Sequence, residues 1–207
     1  MFRNAGRRSA WTRPGALGPR HTLRDMALGL PSGALLTYED LRDLPDDGRR
    51  YELLDGALIV TPAPGGRHQV IVGALYRLLW TARPPGLTVL VSPIDFVPRP
   101  ESVLQPDVVV VDEDEADQPR LTRPPVLVVE VISPSSRSVD LGAKRYAYAT
   151  AGVPNYWVVD PEPPVELIAF ELVGSTYEEV VGVRGAESYE ATVPFPVTIV
   201  PERLHEV

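Results

Sequence analysis

Glu130 lies inside VLVVEVI, a run of aliphatic, mostly β-branched residues with no other charge. With strand alternation, Val126, Val128, Glu130 and Ile132 share one face, and Leu127, Val129 and Val131 share the other. A carboxylate ionised in such a strand must be paired, hydrogen-bonded or bound to a metal, because burying it bare is costly. The other reading is a strand-end glutamate turned to solvent just before Ser133-Pro134. Asp107 follows Pro106 and heads DVVVV, where proline limits where a strand can start and the acid projects from the sheet edge. Two carboxylates on neighbouring strands, with oxygen ligands only, describe a magnesium site. Glu52 in RYELLDG is a third candidate acid, with a solvated strand residue as its alternative.

The chain has nineteen arginines and a single lysine, Lys144. Asp140 lies four residues before it, the favoured order for a helical ion pair worth about 0.3–0.5 kcal/mol. Arginine would serve such a pair equally well. A compact ammonium that approaches one phosphate oxygen, or lowers the pKa of a water, is harder to replace with a guanidinium. Arg49, Arg50, Arg67, Arg137 and Arg145 stand in sequence beside these candidates and could form a basic rim, although each alone reads as a surface arginine. His68 opens a helix and could contact phosphate or carry a proton, or simply start the helix.

The elements that must position these groups are short, because 23 prolines divide the chain. LTYEDLRDLPDD (36–47) opens with Thr37 as N-cap and Asp40 three residues on. RYELLDGALIVTPAP (50–64) predicts a hairpin turning at Asp55-Gly56. HQVIVGALYRLLWTA (68–82) places Val72, Leu75, Tyr76 and Leu79 at helical spacing. One or two strands are expected over 87–98, a strand running into an acidic loop over 106–117, and a strand buried on both faces over 125–134. SVDLGAKRYAYATAG (138–152) predicts a helix closed by Gly152, followed by a strand pair over 154–172 and late strands in YEEVV and PFPVTIV. The fold class is mixed α/β around one sheet, with Trp157 in the core.

At 207 residues, 44% hydrophobic and 23% charged, the chain suits one globular domain over 34–207. No apolar run approaches the ~18 residues of a membrane span. Cysteine is absent, which excludes disulfides and thiolate metal sites, and His21, His68 and His205 lie too far apart for a zinc motif. Residues 1–24 carry six arginines and no acid, so within a total of −8 the remainder carries −14. Such a body is no bulk electrostatic binder of nucleic acid. Residues 1–33 are expected to form a disordered arginine-rich extension, with Met26 as a natural start; a nucleic-acid-binding arm or a targeting peptide are the alternatives.

RYELLDGALIV, QPDVVVV, PPVLVVEVISPSS, a following D…K…Y and AGVPNYWVVDP occur in order between residues 34 and 172. Together they resemble the Uma-type family of restriction endonucleases, within the PD-(D/E)xK nuclease superfamily. The resemblance implies a restriction-endonuclease-like core, a central mixed β-sheet flanked by helices. It implies a metal-dependent endonuclease hydrolysing phosphodiester bonds in DNA. Asp107 and Glu130 would hold Mg²⁺, with Mn²⁺ as a substitute; Lys144 would act on the water or the phosphate, and Glu52 would help position the metal. Arg50, Arg67, His68 and Arg145 are the candidate substrate-binding residues. The superfamily's lysine falls two residues after the second acid, where this chain has Ile132, so Lys144 would reach the same space from the next helix. A non-catalytic nucleic-acid-binding or oligomerisation protein is the competing reading, and a hydrolase of small phosphate compounds a third. A cytoplasmic location, no membrane and either a homodimer edge or plain core at 156–172 complete the expectations.

Overall fold

A computed structural model describes residues 35–133 and 136–206; the extension expected over 1–33 lies outside them. Thr37 caps the first helix, α1 (Tyr38–Arg42), its backbone N–H and hydroxyl both donating to Asp40 at 2.7 and 2.8 Å. The strands β1 (Arg50–Leu54) and β2 (Ala57–Thr61) form the expected antiparallel hairpin. Its turn residues Asp55 and Gly56 have φ of 51° and 76°, the left-handed backbone a two-residue turn demands. At Gly56 a Cβ would also fall 2.6 Å from that of Leu35, so packing as well as conformation requires glycine.

Helix α2 (Gly66–Ala82) follows a Pro-Gly loop and buries Val72, Leu75 and Leu79 of the stripe its spacing predicts, with Tyr76 half-buried and Ile71 buried beside them. The strands β3 (Leu87–Val91), β4 (Phe96–Arg99), β5 (Ser102–Leu104), β6 (Val108–Asp112) and β7 (Leu127–Val131) come next. After β7 the chain makes a π-helix (Val139–Lys144) running into α3 (Arg145–Thr150). Gly152, at φ 80°, ends α3: its N–H donates to the Ala149 carbonyl and that of Val153 to Tyr148, a Schellman closure. The remaining strands are β8 (Asn155–Asp160), β9 (Glu166–Val173), β10 (Thr176–Arg184), β11 (Tyr189–Ala191) and β12 (Val197–Ile199).

The central sheet runs β10-β9-β8-β7-β6-β3 and is mixed, with β7 and β8 parallel and the other pairs antiparallel. Besides this sheet, which the sequence reading expects, a four-stranded sheet β2-β1-β5-β4 and a two-stranded sheet β11-β12 form among the described residues. On one face of the central sheet, α2 packs Ile71, Leu75 and Leu79 against Val108, Val110 and Val129. On the other, Val109, Val128 and Val158 meet Tyr148 from α3 and Phe96 and Leu104 from the small sheet. Each such side chain, fully buried, contributes about 1.5–3 kcal/mol. β7 is buried along its whole length, which is why its sequence shows no alternation. No described helix is long and apolar enough to cross a membrane.

Candidate active site

The β6–β7 ladder pairs Val108 with Val129, so one step further Asp107 stands opposite Glu130. Opposed residues of an antiparallel pair share a face. Both acids therefore leave the central sheet on the side of Val109 and Val128, towards the small sheet. β1 supplies Glu52 and Arg50 from that sheet, the π-helix supplies Asp140 and Lys144, and the start of α2 supplies His68; all of them line one cavity of about 350 Å³. The solvent-facing alternatives for the acids fail here: Glu52, Asp107 and Glu130 are 1, 1 and 2% exposed.

Lys144 is buried, with its Nζ 2.9 Å from Glu52, 3.1 Å from Glu130 and 3.6 Å from Asp140. The helical pair with Asp140 thus exists within a larger cage. A π-turn holds one more residue than an α-turn and is frequent at functional sites; here its buried residues are Asp140 and Lys144. The Tyr156 hydroxyl donates to the Asp140 carbonyl at 3.0 Å and braces that turn. Burial alone would push Lys144 down, but Glu130, Glu52 and Asp140 outweigh it, and the ammonium is held above its ordinary value.

The two facing acids are held differently. Glu130 Oε1 accepts from Lys144 and from the Tyr148 hydroxyl, at 3.1 and 2.7 Å. Asp107 Oδ1 accepts from Arg50 at 2.9 Å, and its Oδ2 from the Val131 N–H at 2.8 Å. Burial, together with Asp107, Asp140 and Glu52 nearby, raises the Glu130 carboxyl well above its usual range despite Lys144. Burial also acts upward on Asp107, but His68, Arg50 and the Val131 N–H together leave it lowered. Asp140 is raised, by burial first, against the pull of Lys144 and Ser136.

Four carboxyl groups here face two cations, Arg50 and Lys144, with His68 beside Asp107, so acidic groups outnumber basic ones in the cavity. That surplus, and the hard oxygen donors of Asp107 and Glu130, fit a divalent cation such as Mg²⁺ or Mn²⁺. No three potential ligand side chains already surround a common point among the described residues. Glu52 is engaged by Lys144 and by the Gln105 N–H at 2.8 Å, which ties it to the β1–β5 edge.

Of the candidate substrate-binding residues, Arg50 and His68 line the cavity. Arg50 also donates through Nη2 to Ser92 Oγ at 2.8 Å, so both its Nη atoms are engaged. Arg67 lies 3.5 Å from Glu162, and Arg145 stands over the Phe170 ring; neither lines the cavity. Arg49 and Arg137 pair with Asp47 and Asp160. The sequence reading did not single out Tyr148 or Ser92. Tyr148 is four residues after Lys144 on one helical face, a spacing that could have found it; Ser92 carries no such signal.

No curated protein matches this sequence. A solved structure from Anabaena variabilis ATCC 29413, described as "a putative nuclease belonging to DUF820", superposes with a TM-score of 0.65. It is 16% identical, and the match covers 82% of this chain and 97% of that one, so the two share a fold. The family model of Uma2, described as "Putative restriction endonuclease", matches residues 38–200. With most of its length matched and its fold shared with that nuclease-like neighbour, the chain belongs to the Uma2 family.

Proposed function

We propose that this protein is a metal-dependent nuclease that hydrolyses phosphodiester bonds in DNA. The observation that carries the reading is the facing pair Asp107–Glu130, with the Lys144 ammonium 3.1 Å from Glu130 in a cavity where carboxyl groups outnumber cations. Asp107 and Glu130 would hold Mg²⁺, or Mn²⁺ in its place. A divalent cation bound there polarises the scissile phosphate and lowers the pKa of a bound water. Lys144, kept protonated by its three carboxylates, is not the base; it neutralises charge that develops on the phosphate oxygens. Glu52 and Asp140 hold that ammonium in place, and Tyr148 orients Glu130. Arg50 holds Asp107, and substrate contact would fall to Arg145 at the periphery and to Arg67 once a phosphate displaces Glu162 from it.

The test is incubation of the purified protein with supercoiled plasmid and single-stranded DNA in Mg²⁺, Mn²⁺ or EDTA, beside Asp107→Asn and Lys144→Ala. Cleavage that needs the metal and disappears in both variants is expected. A wild type that cuts neither substrate, or variants that cut equally well, would overturn the assignment. One observation favours the oligomerisation form of the second reading, a non-catalytic protein: Arg49, Arg67 and Arg137 each have an acidic partner, which leaves less positive charge for a nucleic acid. Metal binding without cleavage would select it.

A further inference from the structure

His68 is the third residue of α2, and its side chain is 14% exposed. Its Nε2 is buried and has no hydrogen-bond partner. It nevertheless lies 3.2 Å from Asp107 Oδ1, the oxygen that already accepts from Arg50. No hydrogen bond of acceptable geometry is made at that contact, although the two groups are close enough to interact. His205, by contrast, places its Nε2 3.1 Å from the Pro161 carbonyl and is satisfied there.

We propose that His68 is a metal ligand through Nε2, so that the cation at Asp107 has a nitrogen donor and the site prefers Mn²⁺ to Mg²⁺. This rests on the metal-dependent reading above. Two donors adjacent around one ion, each bonded at about 2.1 Å, stand about 3 Å apart. That is close to the separation of His68 Nε2 and Asp107 Oδ1, and lone pairs converging on a shared ion need no linear N–H···O arrangement. The nitrogen is carried by a helix whose next turn, Ile71 and Val72, is locked in the core, so it is presented rather than recruited. Imidazole binds first-row transition cations well, whereas Mg²⁺ favours oxygen. Water, or Glu130 drawn off Lys144, would complete the coordination shell.

Pulsed electron paramagnetic resonance of the full chain loaded with Mn²⁺ reads this directly. The wild type is expected to show the nitrogen modulation of a bound imidazole. His68→Ala and His68→Gln are expected to lose it, with Mn²⁺ affinity falling about tenfold or more while Mg²⁺ affinity changes little. Should one variant fail to fold, the other and the wild-type spectrum still decide. Mn²⁺ bound without nitrogen modulation, or modulation that survives in the His68 variants, would overturn the inference. Asp107→Asn separates the two failures. If it abolishes Mn²⁺ binding while His68→Ala binds Mn²⁺ as tightly as the wild type, the metal site stands and the His68 ligand falls. If Mn²⁺ binds equally well to Asp107→Asn, or does not bind the wild type, both fall.

Discussion

Asp107 and Glu130 face each other across one strand pair, equally buried, yet their carboxyl groups are driven in opposite directions. At the Asp107 end, Arg50 and the backbone N–H of Val131 serve one carboxylate between them, and His68 adds to their pull. At the Glu130 end, Lys144 is shared among three carboxylates and the added donor, Tyr148, is neutral. Burial penalises both acids; His68, Arg50 and the Val131 N–H overcome it at Asp107, whereas at Glu130 the neighbouring acids add to it against Lys144. A site that favours ionisation at one acid and disfavours it at its neighbour has the division of roles common in hydrolytic centres.

The sharpest way to break this contrast is to remove the shared cation. Lys144→Met leaves Glu52, Glu130 and Asp140 buried without a positive partner, and is expected to cost about 3–5 kcal/mol in urea unfolding near neutral pH. The deficit should shrink in acid, where protonated carboxyls need no counter-ion. A loss under about 1 kcal/mol, the range of an exposed pair, would show that the cage contributes no more than a surface contact.

A second test separates the two ends by pH. Glu130 has a folded pKa above its unfolded value of about 4.3, so its contribution is fully present below that pH and is lost as pH rises through the folded value. Asp107 has a folded pKa below its unfolded value of about 3.9; its contribution is present above that pH and is lost as pH falls through the folded value. Glu130→Gln should therefore flatten the decline of stability on the alkaline side and leave the acid limb intact. The effect is smaller than that of Lys144→Met, because Asp140 is raised too and remains. Thermal unfolding across the pH range reads it, and a Glu130→Gln profile parallel to the wild type would remove the proposed difference between the ends.

Much of this was visible along the chain, and for physical reasons. A charge within VLVVEVI cannot be hidden without partners, so Glu130 announced a site, and a lone lysine beside nineteen arginines pointed to Lys144. Asp55-Gly56 and the stripe of α2 were equally plain, because turn geometry and burial act locally. The three-residue strands β5 and β11 are too short to show a period, and pair only because of what lies across from them. The π-turn at 139–144 differs from an α-turn by a single hydrogen-bond step, and what favours it is tertiary: the acids around Lys144 and the Tyr156 hydroxyl. Arg67 and Arg137 look available in sequence, but Glu162 and Asp160, which neutralise them, are distant along the chain.

Asp40 gives the smallest expected effect and the cleanest control on the cause assigned to Asp107. Its carboxyl is lowered by the Thr37 hydroxyl first and the Thr37 N–H second, on an exposed helix start where burial opposes them only weakly. If hydrogen bonding lowers both acids, Thr37→Ala should raise the Asp40 pKa towards its ordinary value of about 3.9 while leaving some depression from the retained backbone donor. Asp107, far from this change, should titrate as before. The capping contribution is present above the unfolded value and lost as pH falls through the folded one, so Thr37→Ala should narrow the stability difference only on the acid side. Carboxyl-detected NMR titration of both residues reads the outcome: an Asp40 that does not move would mean that hydrogen-bond donors are not what holds an acid low in this protein, and the account of Asp107 would then have to rest on the charges of Arg50 and His68.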